Sequence, residues 1–206
     1  MSSMTTHDAV TVATLVNYPA EAAVDIVEGT IYLSRPGGFD VADMELLPDD
    51  GRRHELLDGV IVVSPSPRRL HQRAALEIAV LLRNAAPPDL EVIVAPFDVQ
   101  AGPRSVVEPD VLVLPRDEQD GPVPPPLLAV EVLSPSNRGY DLVAKRNLYQ
   151  SAGVPSYWIV DPDEPSVTVL ELAQGQYVEI ARARGDDELR TAHPYEIALV
   201  PGDLVS

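Results

Sequence analysis

Apolar and polar positions follow two different periods along the chain, and these periods predict its strands and helices. The most apolar stretch, residues 127–133, has the sequence LLAVEVL and can be buried on both faces of a sheet. Residues 106–114, VVEPDVLVL, form a second stretch of the same kind. Each stretch contains a carboxylate, Glu131 in the first and Asp110 in the second. Two core strands are therefore predicted to carry a buried charge, which is costly unless something compensates it.

Further strands are predicted from short apolar runs that are bounded by turn residues. Arg53–Leu57 and Val60–Ser64 flank Asp58-Gly59, a dipeptide that supplies the left-handed conformations of a tight hairpin. A second hairpin is predicted through Gly175. The other predicted strands are a short edge strand at 28–33, a meander of Leu90–Val94, 97–101 and 106–114, a core strand at 157–160, and the two strands of the second hairpin at 166–172 and 176–181.

Residues 68–86 have the period of an amphipathic helix that ends before Pro87-Pro88. His71 lies one turn before Ala75, which places its imidazole at the inward edge of the first helical turn. A histidine at that position can be functional or can simply be a hydrogen-bonded, partly buried side chain. The apolar face of the helix consists of Ala74, Ala75, Ile78, Leu81, Leu82 and Ala85.

A second long helix is predicted at residues 140–152, with Gly153 closing it. Leu142 and Tyr149 fall on one line along this helix, and Lys145 falls on the same line. An inward lysine is uncommon unless it is paired with a carboxylate, although it can also extend along the apolar stripe to water. Lys145 is the only lysine of the chain, so a compact, titratable ammonium is available in this one place.

The pattern predicts one domain with less regular ends. We expect a flexible tail at residues 1–25, a single domain at 26–181, and a C-terminal extension at 182–206 that packs on or near the domain. Within the domain, residues 40–47 predict a short helix with Asp40 as its N-cap, in a segment that resembles a lid over the core.

The composition limits the chemistry available to the chain. With 206 residues, 45% of them hydrophobic, the chain can form one core of ordinary size. No apolar run approaches the roughly 18 residues of a membrane span, and no signal-peptide pattern is present, so we expect a cytoplasmic protein that does not enter a membrane. The absence of cysteine excludes disulfides, thiolate metal sites and cysteine nucleophiles. Any metal should therefore be a hard cation bound by oxygen or imidazole ligands.

The net charge of -17 argues against a nucleic-acid partner, but the charge is unevenly distributed. Residues 52–83 carry a net charge of +3 and residues 138–146 a net charge of +2, whereas residues 1–50 carry -8. The basic segments flank the two embedded carboxylates in the sequence. They can form a binding surface or can be the solvated sides of two helices.

Asp110 and Glu131, on two core strands, suggest a shared cation. Pro109 removes a backbone donor directly before Asp110, which favours a strand start or an irregularity there. Asp110 is therefore expected at the beginning of a core strand where the sheet opens, on the same face as Leu112 and Leu114. Glu55, in the first strand of the predicted hairpin, is either a solvent-facing residue or a further functional carboxylate.

Several motifs follow one another in a characteristic order. They are Pro109-Asp110, residues 131–136 (EVLSPS), Asp141 with Lys145 and Tyr149, Gly153-Val154-Pro155, and residues 157–161 (YWIVD). The ordered set closely resembles the Uma family of putative restriction endonucleases, a branch of the PD-(D/E)XK nuclease superfamily. The resemblance covers residues 52–172 and also includes residues 54–59 and the helix with His71.

The resemblance implies an α+β (mixed α/β) fold of the restriction-endonuclease type, with a central mixed sheet flanked by helices and additional β-hairpins. Asp110 matches the aspartate of the Pro-Asp motif, and Glu131 matches the acidic residue of the second motif. The lysine expected two residues after Glu131 is replaced by Leu133. Lys145 matches a position to which this branch displaces that lysine. Glu55 matches the upstream acidic residue, and His71 matches a histidine typical of the branch.

The mechanism implied by this match is metal-dependent hydrolysis of nucleic acid, with DNA as the expected substrate. Asp110, Glu131 and the backbone carbonyl of Val132 would hold Mg²⁺ or Mn²⁺, and Glu55 could complete the metal shell. Lys145 would orient the attacking water or stabilise charge on the phosphate, and Tyr149 would form a hydrogen bond in the same pocket. A homodimer is expected, because cleavage of both strands of a duplex favours two-fold symmetry.

Two other interpretations stay open on the sequence. One is a nuclease-fold protein that binds nucleic acid or a protein without cutting, which the acidic charge and Leu133 favour. The other is a β-rich interaction module in which Asp110 and Glu131 are simply paired with arginine or lysine.

Overall fold

The structure is a computed structural model that describes residues 18–19, 21–116, 125–134 and 140–206, without the side chains of residues 140 and 141. Three sequence predictions lie wholly or mostly outside this part of the chain. They concern the tail before residue 18, most of the loop at 116–126, and the turn at 134–137.

The described residues form an α+β fold, as predicted. Its helices are α1 (Val41–Met44), α2 (Arg69–Ala85) and α3 (Tyr140–Ser151), followed by a 3-10 helix at Pro201–Leu204. Its strands are β1 (Ala23–Val27), β2 (Thr30–Ser34), β3 (Arg53–Leu57), β4 (Val60–Ser64), β5 (Leu90–Val94), β6 (Val99–Gly102), β7 (Ser105–Val107), β8 (Val111–Pro115), β9 (Leu128–Val132), β10 (Ser156–Asp161), β11 (Ser166–Ala173), β12 (Gln176–Arg184), β13 (Leu189–Thr191) and β14 (Ile197–Leu199). No helix in these ranges combines the length and apolar character that crossing a membrane requires.

The strands form two six-stranded sheets and a small hairpin. The first sheet has the order β1-β2-β4-β3-β7-β6 and is antiparallel throughout. The second has the order β12-β11-β10-β9-β8-β5 and is mixed, because β9 and β10 pair in parallel while its other strands pair antiparallel. Helix α3 lies in the crossover between these two parallel strands, as a parallel connection requires.

The second sheet separates two cores. On one face, Ala74, Ile78 and Leu82 of α2 pack against alternate residues of β8 and β9. The opposite face, which includes Leu112 and Ala129, packs against α3 and the inner face of the first sheet. Side chains on this second face of β9 therefore point into the space between the two sheets and α3.

Asp58-Gly59 forms the hairpin turn that the sequence predicts. Strands β3 and β4 have the predicted bounds and pair from Arg53 opposite Ser64 to Leu57 opposite Val60. The turn residues have φ values of 49° and 84°, the left-handed region that glycine adopts at low cost. This turn fixes the register of β3 and, with it, the direction in which Glu55 points.

Residues 106–114 do not form the single predicted strand. Strand β7 pairs with β3 in the first sheet, and β8 pairs with β9 and β5 in the second sheet. The chain passes between the sheets through Glu108, Pro109 and Asp110, because proline cannot donate to a continuing strand ladder. The predicted meander is therefore wrong, whereas the prediction that Asp110 precedes a core strand is confirmed.

The N-terminal strand pattern also differs from the prediction. Residues 28–33 were expected to form one edge strand, but Glu28 and Gly29 form a turn with φ values of 49° and 86°. This turn joins β1 to β2, and β1 takes the edge position while β2 lies between β1 and β4. Asp40 caps α1 as predicted, although that helix ends at Met44 and not at residue 47.

The C-terminal residues add to the core on the α2 side. Strand β12 continues to Arg184, and β13 and β14 form a hairpin followed by the 3-10 helix. The buried side chains that these last elements contribute are Leu189, Ile197, Leu199 and Leu204. Sequence patterns predict no strands here, because three-residue strands are too short for a period to be visible.

Candidate active site

Three carboxylates are buried together between the two sheets. Glu55, Asp110 and Glu131 are 2%, 4% and 1% exposed. Their positions follow from the strands that carry them: Asp110 directly precedes β8, Glu131 is the fourth residue of β9, and Glu55 is the central residue of β3. Because β8 and β9 run antiparallel, the start of one strand lies beside the end of the other. The solvent-facing alternative for Glu55 is excluded in the structure.

The two carboxylate oxygens of Asp110 have different partners. Oδ2 accepts a hydrogen bond of 2.7 Å from the backbone N–H of Val132 and lies 3.2 Å from Nε2 of His71. Oδ1 accepts a hydrogen bond of 3.0 Å from Nη1 of Arg53. His71 is 5% exposed, and this contact brings the start of α2 to the junction of β8 and β9. The inward position predicted for His71 is confirmed.

Glu131 is held by two residues of α3. Nζ of Lys145 lies 3.2 Å from Oε1 and 3.1 Å from Oε2 of Glu131, and the hydroxyl of Tyr149 donates a hydrogen bond of 2.7 Å to Oε1. These two residues are one turn apart on the helix and therefore reach the same strand residue. Lys145 is 4% exposed, so the alternative in which it extends to water is excluded in the structure.

Lys145 also connects Glu131 to Glu55. Its Nζ lies 2.9 Å from Oε1 of Glu55, the oxygen that accepts a hydrogen bond of 2.8 Å from the backbone N–H of Glu108. One ammonium thus joins a residue of the first sheet to a residue of the second. The structure therefore brings together Glu55, His71, Asp110, Glu131, Val132, Lys145 and Tyr149, which are all the site residues predicted from the sequence.

Arg53 and Glu108 join the same cluster, and sequence analysis misses both. Nη2 of Arg53 lies 3.2 Å from Oε1 of Glu55, and its Nε lies 3.4 Å from Oε1 of Glu108. The signal available in the sequence is the strand period, which places Arg53 and Glu55 on one face of β3. That signal does not distinguish a buried face from a solvated one, so it cannot identify the residues as site residues.

Comparisons with known proteins assign the chain to a family. A family model described as Uma2, putative restriction endonuclease, matches residues 41–199. The chain belongs to the Uma2 family. The matched range contains every site residue named above and confirms the resemblance inferred from the sequence. The sequence comparison with curated proteins returns no match.

The fold of this Uma2 chain is shared with a solved structure. The crystal structure of a putative nuclease belonging to DUF820 from Anabaena variabilis matches with a TM-score of 0.64 and 19% sequence identity. The match covers 81% of this chain and 97% of the other. At this identity the likeness establishes the fold, and it confirms the predicted restriction-endonuclease-like fold class.

The cluster contains more carboxylates than cations, and the pKa of Glu131 is raised. Burial, together with the charges of Asp110 and Glu55, raises the pKa of the Glu131 carboxyl to about 7, although Lys145 and Arg53 oppose the shift. Burial also acts to raise the pKa of Asp110, but the hydrogen bond with His71 and the charge of Arg53 outweigh it and hold that pKa well below its usual range. Near neutral pH Asp110 is therefore ionised, whereas Glu131 is close to the midpoint of its titration.

Two further carboxylates extend the negative charge toward solvent. Burial raises the pKa of Glu108 and of Asp98, and the charge of Glu55 contributes to both shifts while Arg53 opposes them. Burial lowers the pKa of Lys145, but Glu131 and Glu55 outweigh burial and raise it overall. When all five of these carboxylates are ionised, they face the two cations Arg53 and Lys145. An additional cation would relieve this excess of negative charge.

The donor set suits a hard divalent cation only in part. In the described ranges, no group of three or more histidine, aspartate or glutamate side chains is arranged to hold a metal ion. Magnesium needs fewer than three protein side chains, since it is commonly bound through one or two carboxylates and keeps several water ligands. The all-oxygen pair of Asp110 and Glu131 fits that requirement. Both side chains face cationic groups of the protein, Arg53 for Asp110 and Lys145 for Glu131.

Proposed function

We propose that this Uma2-family chain is a Mg²⁺- or Mn²⁺-dependent endonuclease that hydrolyses phosphodiester bonds of nucleic acid, with DNA as its substrate. The observation that carries the proposal is the convergence of Asp110, Glu131 and Lys145 at the adjacent ends of β8 and β9. The family's description as a putative restriction endonuclease supports the reaction class. The excess of negative charge in the cluster supports a cation as part of the working site.

Asp110, Glu131 and the backbone carbonyl of Val132 would hold the ion, with Glu55 as a further ligand. When bound, a divalent cation supplies Lewis acidity toward a phosphate oxygen and lowers the pKa of water. The carboxylates must be ionised to act as ligands, which the low pKa of Asp110 favours. Glu131 would have to lose its proton near neutral pH.

The remaining residues act through hydrogen bonds that the chain itself provides. Lys145 would orient the attacking water or donate to a phosphate oxygen as negative charge develops there. Tyr149 holds Glu131 in place through its 2.7 Å hydrogen bond. His71 and the N–H of Val132 hold one oxygen of Asp110, so the geometry supports a positioning role for His71. In this proposal Lys145 supplies the cation that Leu133 cannot.

The first test is calorimetric titration of the purified protein with Mg²⁺ and with Mn²⁺. The wild type should bind, and Asp110→Asn and Glu131→Gln should each lose binding, because each removes a ligand charge. Glu77→Gln, at an exposed position on α2, is the matched control and should bind like the wild type. Binding that survives both site substitutions would place the metal elsewhere.

The second test is plasmid nicking at low salt with either metal. The wild type should cleave, and Lys145→Ala should bind metal but cleave about 100-fold more slowly, the size of effect typical of one lost charge-stabilising donor. Unchanged cleavage by this variant would remove Lys145 from the mechanism. If the wild type cuts neither DNA nor RNA with either metal, the enzyme proposal fails.

A nuclease-fold protein that binds nucleic acid without cutting is the second candidate. The net charge of -17 and the pairing of both carboxylates with Arg53 and Lys145 favour it. The same ion pairs are those expected for a β-rich interaction module, but family membership favours a nuclease. DNA retention in a gel-shift assay without cleavage would support this candidate.

We also propose a homodimer, because two symmetry-related sites would allow cleavage of both strands of a duplex. Light scattering coupled to gel filtration should give twice the chain mass of 22.3 kDa. A mass of one chain at micromolar concentration would reject the dimer without affecting the proposed chemistry.

A further inference from the structure

Arg53 lies among three carboxylates at the solvent side of the site. Its Nη1 lies 3.0 Å from Oδ1 of Asp110, its Nη2 lies 3.2 Å from Oε1 of Glu55, and its Nε lies 3.4 Å from Oε1 of Glu108. The sequence motifs do not include this residue. The side chain is 22% exposed, compared with 5% for Lys145, so Arg53 is the more accessible of the two cations.

The position of Arg53 matters because the oxygens of Asp110 are not equivalent. Oδ2 is engaged by the N–H of Val132 at 2.7 Å and faces Nε2 of His71 at 3.2 Å. Oδ1 is the oxygen that Arg53 contacts. A ligand role for Asp110 through Oδ1 therefore requires that Arg53 move away from it, since two cations repel each other at such a distance.

We propose that Arg53 competes with a divalent cation for Asp110: it pairs with Asp110 and releases this carboxylate when the cation binds. The inference rests on the proposed metal-dependent function. It assigns to Arg53 a positioning role, because the residue would control the availability of Asp110 and would not itself ligate the metal.

The structure favours Arg53 over Lys145 for this exchange. After releasing Asp110, the guanidinium can keep its contacts with Glu55 and Glu108, so its charge stays paired. Lys145, by contrast, has no described carboxylate partners besides Glu55 and Glu131, both of them candidate ligands. The side chain of Arg53 is also partly exposed, at 22% compared with 5% for Lys145.

The test is calorimetric titration of Mn²⁺ and of Mg²⁺ into the wild type, Arg53→Met and Arg53→Lys. Arg53→Met should bind metal at least about tenfold more tightly than the wild type, because a competing positive charge is gone. Arg53→Lys keeps the charge and should bind within about threefold of the wild type. Arg52→Met is the matched control: Arg52 pairs with Asp50 at 3.6 Å, outside the site, and its loss should leave affinity unchanged.

The outcomes separate this inference from the proposed function. If the wild type binds metal and Arg53→Met binds equally or more weakly, the inference is overturned while the metal site stands. If neither the wild type nor Arg53→Met binds Mn²⁺ or Mg²⁺, the metal site and the inference both fall. A purely structural role for Arg53 would weaken metal binding together with stability, which is the opposite of the expected result.

A second measurement uses the wild type and so does not depend on the folding of Arg53→Met. Nitrogen-15 NMR of labelled arginine side chains, assigned with Arg53→Lys, should show the Arg53 guanidinium signals shifting as Mg²⁺ is added. The backbone amide of Val132 reports binding independently, because it donates to Asp110. A Val132 signal that shifts while the Arg53 signals stay in place would overturn the inference.

Discussion

Replacement of Lys145 by methionine should destabilise the metal-free protein strongly and in a pH-dependent way. The substitution keeps the length and apolar stem of the side chain but removes the ammonium that contacts Glu55 at 2.9 Å and Glu131 at 3.1 Å. Both carboxylates are at least 98% buried, and this one substitution would deprive both of them of the cation. Removal of one partner from a buried ion pair costs about 3–5 kcal/mol, because an uncompensated charge is left behind.

The pH dependence follows from the protonation of Glu131. Its pKa of about 7 in the folded state lies above its ordinary value of 4.5, and loss of Lys145, which lowers it, should raise it further. When the pKa of a carboxyl is higher in the folded state than in the unfolded state, the free energy of unfolding falls as the pH rises from the lower pKa to the higher one. The cost of Lys145→Met should therefore be about 4 kcal/mol at pH 8 and smaller at pH 5, where Glu131 is protonated in both proteins.

Urea unfolding in the presence of a chelator measures this cost. The fluorescence of Trp158 reports the transition, because it is the only tryptophan and is completely buried. With a slope of about 2 kcal/mol per molar urea, the expected loss lowers the midpoint at pH 8 by about 2 M. Arg182→Met, which removes an exposed cation paired with Glu179 at 2.8 Å, is the control and should cost less than about 1 kcal/mol. A loss below about 1 kcal/mol for Lys145→Met at pH 8, or one that does not change with pH, would refute this account of the site.

Three other substitutions test separate parts of the structure. Relative to Glu131→Gln, the wild type should lose about 3 kcal/mol of stability between pH 4.5 and pH 7, because the folded state holds the Glu131 proton more tightly than the unfolded state. Urea unfolding of both proteins at several pH values measures this loss. If the stabilities of the two proteins changed in parallel with pH, the raised pKa would be contradicted. Tyr149→Phe should cost about 1–3 kcal/mol by the same measurement, since it removes the 2.7 Å hydrogen bond to a buried carboxylate; a cost near zero would show that this hydrogen bond contributes no net stability. Gly59→Ala should lower the melting temperature more than Gly51→Ala: both glycines have positive φ, but only at Gly59 would a Cβ overlap the guanidinium of Arg104. Equal shifts for the two alanine variants would argue against close packing of Arg104 on the hairpin turn.

Sequence patterns predict those elements of the fold whose conformation depends on residues close together in the sequence. The Asp58-Gly59 turn needs left-handed backbone conformations, which these two residues supply, and the hairpin appears with the predicted bounds. The amphipathic period of residues 68–86 likewise predicts α2 to within one residue at each end. In both cases the signal lies within a few residues of the element that it determines.

The division of residues 106–114 between two sheets depends on distant partners. Strand β7 pairs with β3, about 50 residues earlier in the sequence, and β8 pairs with β9 and β5. Pro109 marks the irregularity but does not show which sheet each half joins. The contacts of Arg53 with Glu55 and Asp110 have the same origin, because an arginine at a strand start is ordinarily solvated, and Asp110 reaches it from a distant part of the chain.

The site shows how a lysine can reach a strand carboxylate from outside the strand. Leu133, two residues after Glu131, is 8% exposed and takes the place of the lysine expected there. The parallel pairing of β9 with β10 requires a crossover, and the helix in that crossover lies over the face of β9 on which Glu131 points. A residue on the inner line of that helix is therefore directed toward Glu131 by topology and helical period together. This explains why sequence spacing predicts the placement of Lys145, and it makes the register of α3 on the sheet the feature on which the proposed chemistry depends.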